Sequence, residues 1–164
     1  MLVVLGSVLL AISAKVQVPF WPVPMTMQTF IVLMLGAHAG LRVAGATVAL
    51  YLIEGALGLP VFSTGAGLAF MAGPTGGYLA GFVVAAFVTG LMADRGMARS
   101  LPSLLVLMLV GHTLIFVCGF GYLSLLIGAE KAWLLGVAPF LISTVVKIAL
   151  GTALQKGADL WSRI

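Results

Sequence analysis

The apolar runs in this chain are continuous, and no other feature constrains its fold so tightly. Between residues 102 and 127, for instance, no side chain carries a charge. Such runs do not fit a β-barrel, whose strands alternate apolar and polar residues. They do not fit a water-soluble globule either. Eight Lys and Arg with four Asp and Glu make the chain 7% charged, against roughly 25% in soluble domains, so the apolar surface must face lipid. A helix needs about 20 apolar residues to cross a bilayer. A chain of 164 residues then holds about six spans and little else. The expected fold class is all-α: a single domain over residues 1–164, an integral membrane bundle of six transmembrane helices.

Six apolar segments can be drawn, at residues 1–14, 25–40, 43–57, 76–93, 102–127 and 133–154. The second and third are short for a full span. Pro22, Pro24 and Pro60 bound them, because proline cannot continue a helix. Non-helical backbone at membrane depth is tolerated only where protein or a wet cavity surrounds it, so the proline-flanked loops are where a pocket is expected. The first segment ends in small residues, as a secretory signal does, but lacks the basic start of one. It reads as a retained helix, and its shortness leads us to expect further native residues ahead of Met1. With the N-terminus in the cytoplasm, Arg42, Arg95, Arg99, Lys156 and Arg163 fall inside. Lys15 and Lys131 fall outside, and Lys147 lies within the sixth segment. That bias follows the positive-inside rule. It puts both termini in the cytoplasm, as an even number of spans requires.

The net charge of +4 comes from basic residues scattered singly, which form no stripe for nucleic acid. One cysteine, Cys118, makes neither an intrachain disulfide nor a metal cluster, and reads as a buried small residue. Small residues recur at Gly73, Gly77, Gly81 and Ala85, at Gly36 and Gly40, and at Ser7 and Ala11. On a helix such spacing lets two backbones approach. Packing inside the subunit is one reading, and docking of a membrane partner through Ser7 and Ala11 is the other. The long external loops, residues 15–24 and 58–75, are rich in Pro, Gly and aromatic residues. Loops on one face of a rigid scaffold commonly carry function. Phe20 and Trp21 read either as an interfacial aromatic belt or as part of a lid.

Two ionisable side chains, Glu54 and Lys147, fall within apolar segments. A charge at the bilayer centre costs about 2.5–3.5 kcal/mol on insertion scales, so each needs a partner. They could pair with each other and lock the bundle. Alternatively, Lys147 donates to a ligand's carboxylate or carbonyl while Glu54 accepts from a ligand N–H. Gln28, opening the second segment after Thr26, can both donate and accept. That suits a polar ring, or helix capping together with Thr26. Tyr51 sits three positions before Glu54, on the same helical side. The stretch from Gly73 to Tyr78 lacks the Gly-Lys-Ser/Thr of a phosphate loop. Ser63 has no nucleophile elbow around it, and His38 and His112 lack metal-ligand spacing. Catalysis is therefore not expected.

Three motifs carry a resemblance. They are Pro22-Val23-Pro24-Met25-Thr26-Met27-Gln28-Thr29, Tyr51-Leu52-Ile53-Glu54-Gly55-Ala56-Leu57-Gly58-Leu59-Pro60-Val61-Phe62, and Gly73-Pro74-Thr75-Gly76-Gly77-Tyr78-Leu79-Ala80-Gly81-Phe82. In this order they resemble the BioY family, biotin-specific substrate-binding (S) components of energy-coupling factor (ECF) transporters. Pro139-Phe140-Leu141 with Lys147 looks like that family's last-helix pattern. Many members carry an acidic residue three positions before the lysine, where this chain has Thr144. The resemblance implies a multi-pass protein of a prokaryotic cytoplasmic membrane that captures biotin near the external face. It implies no cofactor; biotin is the transported ligand. Expected partners are membrane lipid, a transmembrane coupling protein and two cytosolic ATPases; the alternative the resemblance leaves open is work without the full module, as a homo-oligomer. Lys147, Gln28, Thr26, Thr144, Glu54 and Gly76 are expected to contact the ligand, with Tyr51, Phe62, Tyr78 and Phe82 as walls. A purely structural membrane subunit, or an S-component for another vitamin, are the competing readings.

Overall fold

The computed structural model describes residues 1–161, with side chains through residue 157. In chain order the elements are α1 (Leu2–Lys15), β1 (Gln17–Val18), β2 (Met25–Thr26), α2 (Gln28–Ala56), α3 (Gly67–Met71), α4 (Gly76–Asp94), α5 (Leu101–Ile127), α6 (Ala129–Gly136) and α7 (Ala138–Trp161). Among the described residues four helical stretches are long and apolar enough to cross a membrane: α2, α4, α5 and the run Ala129–Gly157. The expected fifth segment coincides with α5, which opens on a helix-start signature. Ser100 is extended, its hydroxyl accepts from the Ser103 N–H, and Pro102 occupies the first turn, where its missing N–H goes unneeded.

The second and third segments are two limbs of one element. Gly40 breaks α2 with φ 72° and ψ 177°, a backbone setting that side-chain-bearing residues avoid. The limbs fold back on each other there. Gln28 and Tyr51 are 23 residues apart, about 35 Å along a straight helix, yet Gln28 Nε2 donates to the Tyr51 hydroxyl at 2.6 Å. Asp94, the last residue of α4, seals the turn by accepting from the Leu41 N–H at 3.2 Å. His38 ties α7 to the same end, its Nε2 lying 2.8 Å from Gln155 Oε1.

Small residues set the helix spacing within the subunit. A Cβ at Gly81 would lie 2.9 Å from the Ile115 Cα of α5, and one at Gly90 only 2.6 Å from the Leu41 Cα. Gly36 faces Thr89 and Gly90, and Gly77 faces Cys118 and Gly119. Gly73 lies before α4 begins, so it is not part of that helix face.

Ser7 and Ala11 lie on the inward side of α1, in keeping with packing inside the subunit. Ser7 is wholly buried and its hydroxyl donates to Glu54 Oε2. In a region without water a hydroxyl takes an acceptor from the neighbouring helix. Beside it, Gly6 packs on Thr47, and Ala11 packs against the main core. The outward side of α1 is instead Leu5, Val8, Leu9 and Ile12.

The two long loops, residues 15–24 and 58–75, are more ordered than their composition implies. In the first, β1 and β2 form an antiparallel pair with Gln17 opposite Thr26, and the Val16 carbonyl accepts from the Met27 N–H at 3.0 Å. The second contains α3. Trp21 is 80% exposed, whereas the Phe20 ring lies 6.5 Å from that of Phe140.

Candidate functional site

A cavity opens beneath these loops, between the start of α2, its second limb, α4, α5 and α7. It encloses about 570 Å³ of atom-free space, including the part open to solvent. Lys147 supplies its cationic group. α7 delivers the side chain inward, and the ammonium donates to the Thr26 carbonyl at 2.7 Å and the Thr29 hydroxyl at 2.9 Å. The Thr26 carbonyl is available because the chain turns there from β2 into α2, ahead of the helix hydrogen bonds. Both partners are neutral oxygens, and an ammonium has three donors. One N–H of a buried cation is thus left for something else.

Gln28 and Tyr51 form the second polar group. The Tyr51 hydroxyl receives the Gln28 amide and donates onward to the Val61 carbonyl at 3.2 Å. The Gln28 carbonyl oxygen lies 3.4 Å from the Thr26 hydroxyl. Thr144 lines the wall one turn before Lys147, with its hydroxyl donating back to the Phe140 carbonyl at 3.0 Å. Its lone pairs can accept from a ligand, but it brings no negative charge to offset the ammonium.

The walls are aromatic. Phe62, fully buried, stacks on Phe70 with centroids 5.0 Å apart and meets Tyr51 edge-on at 5.5 Å. Opposite, Phe140 lies 6.4 Å from both Tyr78 and Phe116, and Phe82 and Ile115 close the floor. The Tyr78 hydroxyl donates to the Gly136 carbonyl at 2.6 Å, which spends its polar end on the α6–α7 junction and turns the ring face to the cavity. Large rigid rings bury much area at small entropic cost, which fits a flat, compact ligand.

Eight of the ten residues expected to line the site are therefore together: Thr26, Gln28, Tyr51, Phe62, Tyr78, Phe82, Thr144 and Lys147. Two are not. Glu54 lies three residues past Tyr51, about 60° further round the helix, and that rotation turns it to α1 and Ser7. Gly76 is off the wall, wedged against the Met71 carbonyl and Tyr122, and its neighbour Thr75 lines the cavity instead. Sequence reasoning missed Thr29, Ser63, Phe70, Phe116 and Phe140 as lining residues. Thr29 had a signal, being a hydroxyl residue next to Gln28 in the Pro22–Thr29 motif, and Phe140 stood in the last-helix motif. His112 is buried behind the lining, its Nδ1 2.9 Å from the Met108 carbonyl. Among the described residues no three His, Cys, Asp or Glu group as metal ligands.

The sequence model of the BioY family matches residues 1–163. The chain belongs to the BioY family. A relative from Pyrococcus horikoshii, described as a probable biotin transporter, is 39% identical over 149 residues, covering 90% of this chain and 88% of that protein. The biotin transporter of Thermotoga maritima is 34% identical over 146 residues, covering 88% and 85%. Among solved structures, the S-component for biotin from an ECF-type ABC transporter superimposes with a TM-score of 0.81 at 21% identity, covering 96% of this chain and 88% of that one. That likeness is one of fold. This BioY chain, with its long apolar helices, is a multi-pass protein of the cytoplasmic membrane.

Proposed function

We propose that this BioY chain captures biotin from outside the cell and mediates its uptake as the S-component of an ECF-type transporter. The relatives' shared description as biotin transporters supports the reading, as does the fold shared with a biotin S-component. A transporter family leaves no place for an enzyme. The observation that carries the ligand to this cavity is Lys147: a buried cation, held by neutral oxygens, with an N–H to spare in an aromatic chamber. Biotin supplies what such a chamber lacks. Its ureido group donates and accepts, its fused ring is compact, and its tail ends in a carboxylate. In this reading Lys147, Gln28, Thr26 and Thr144 make the polar contacts, and Tyr51, Phe62, Tyr78 and Phe82 the walls.

Six crossings follow if α1 and the two limbs of α2 each traverse the bilayer along with α4, α5 and α7. Arg42 adjoins the Gly40 turn and Arg95 adjoins Asp94, which binds Leu41. Lys156 adjoins Gln155, which meets His38. Basic residues thus gather at the end opposite the cavity, which supports cytoplasmic termini; Arg163 lies outside the described residues. The energy would come from a transmembrane coupling protein and two cytosolic ATPases.

The test is equilibrium binding of labelled biotin to detergent-purified protein, with thiamine and riboflavin as competitors. Saturable binding that only biotin displaces is expected, and Lys147→Met should abolish most of it while the protein still elutes as a single species. Absence of saturable binding by the unaltered chain would overturn the proposal. Unchanged affinity in the variant would remove Lys147 from the site.

A further inference from the structure

Residues 57–66 of the second external loop contain no helix or strand, yet they supply Phe62 and Ser63 to the cavity wall. Backbone carbonyls outside a ladder need other donors. Here three consecutive ones take side chains from three different elements. The Val61 carbonyl accepts from the Tyr51 hydroxyl of α2 at 3.2 Å, the Phe62 carbonyl from the Lys15 ammonium of α1 at 2.6 Å, and the Ser63 carbonyl from Gln17 Nε2 of β1 at 3.3 Å. Lys15 is the last residue of α1 and Gln17 the first of β1, so both donors project from the point where the first helix becomes the hairpin. That hairpin is itself fixed to the ligand end of the cavity. Gln17 pairs with Thr26, whose carbonyl holds Lys147.

We propose that Lys15 and Gln17 are positioning residues that latch the Phe62–Ser63 wall shut, and that their hydrogen bonds set how fast a bound ligand leaves. Neither side chain lines the cavity. Both act through the loop backbone. With the latch released, the wall keeps the Tyr51 contact and the packing of Phe62 on Gly55 and Phe70 but loses two of its three side-chain ties, and it swings more often. Entry and exit both quicken, so residence time changes more than affinity. The retained ligand is biotin on the reading above, and the inference about retention rests on it; the movement of the wall does not.

Two measurements separate these. In the first, Ser63→Cys is placed in a Cys118→Ala background, and its reaction with a membrane-impermeant maleimide is timed without ligand. Lys15→Met and Gln17→Ala should each accelerate labelling, by roughly tenfold for the charge-assisted bond of Lys15, and Lys15→Arg should restore the slow rate. In the second, release of labelled biotin into excess unlabelled biotin is timed for Lys15→Met without the cysteine, with a roughly tenfold faster release expected. Labelling at the parental rate overturns the latch whatever the ligand is. So does Lys15→Arg labelling as fast as Lys15→Met, which marks general loosening. Fast labelling with unchanged biotin release overturns the retention role. Fast labelling in a protein whose parent binds no biotin supports the latch and sinks the biotin reading alone.

Discussion

Lys147 and Glu54 present the same problem to the membrane, an ionisable group among apolar helices, and the chain solves it differently in the two places. Lys147 points into a chamber and rests on the Thr26 carbonyl and the Thr29 hydroxyl, leaving one donor uncommitted. Glu54 points into a seam between two helices and accepts from Ser7, whose side chain is wholly buried. Around Lys147 are rings with space between them. Around Glu54 and Ser7 the helices touch, Gly6 lying against Thr47. A charged type within an apolar segment therefore does not by itself mark a binding site. The spare hydrogen-bond capacity and the open volume beside it do.

Substitutions can break that contrast or sharpen it. The largest effect is expected at Lys147→Met, which removes the charged partner from the chamber. Truncating one member of a buried charged pair costs about 2–5 kcal/mol, or roughly 30-fold to several thousand-fold in biotin affinity by equilibrium dialysis. Tyr51→Phe comes next. It keeps the ring against Phe62 but strands the Gln28 amide and frees the Val61 carbonyl, so affinity should fall roughly tenfold, as for one unpaired buried donor. Thr47→Val tests the seam. The Thr47 hydroxyl is buried without a hydrogen-bond partner, so replacing it with a methyl should leave thermal stability in detergent unchanged or raise it by up to about 1 kcal/mol, with biotin binding unaltered. Glu54→Gln should do least, since glutamine still accepts from Ser7. Biotin affinity is expected to stay within about twofold, and a large loss would return Glu54 to the ligand site.

The parts of this molecule written in long apolar stretches were readable from sequence, and the parts written in single residues were not. α5 could be drawn almost to its ends, because an uninterrupted apolar run has one meaning in a bilayer. The division near Gly40 was visible as a gap between two segments. That the gap is a one-residue reversal inside a continuous element was not, because glycine's permissive φ shows only in three dimensions. β1 and β2, two residues each, lie below any periodicity. The chamber's cation, its glutamine and most of its aromatic walls could be named, since each is unusual for its position. Glu54 reads as a site residue for the same reason as Lys147, an ionisable group in an apolar segment, and the 60° offset from Tyr51 that turns it to α1 is not visible in that argument. The place of Ser63 in the wall comes from contacts across 46 residues, Gln17 to Ser63, that no local pattern encodes.

The reversal at Gly40 has a mechanical corollary. Gln28 stands twelve positions before that glycine and Tyr51 eleven after it, so the pair meet like the tips of a caliper pivoted at its far end. The gap between the jaws is governed by arm length alone. Adding one residue to either arm near the pivot would rotate its tip by about 100° and lift it about 1.5 Å, carrying the glutamine away from the phenol without substituting any residue of the chamber. A deletion or insertion about 18 Å along the helix from the chamber is thereby made as damaging to recognition as a change in the wall.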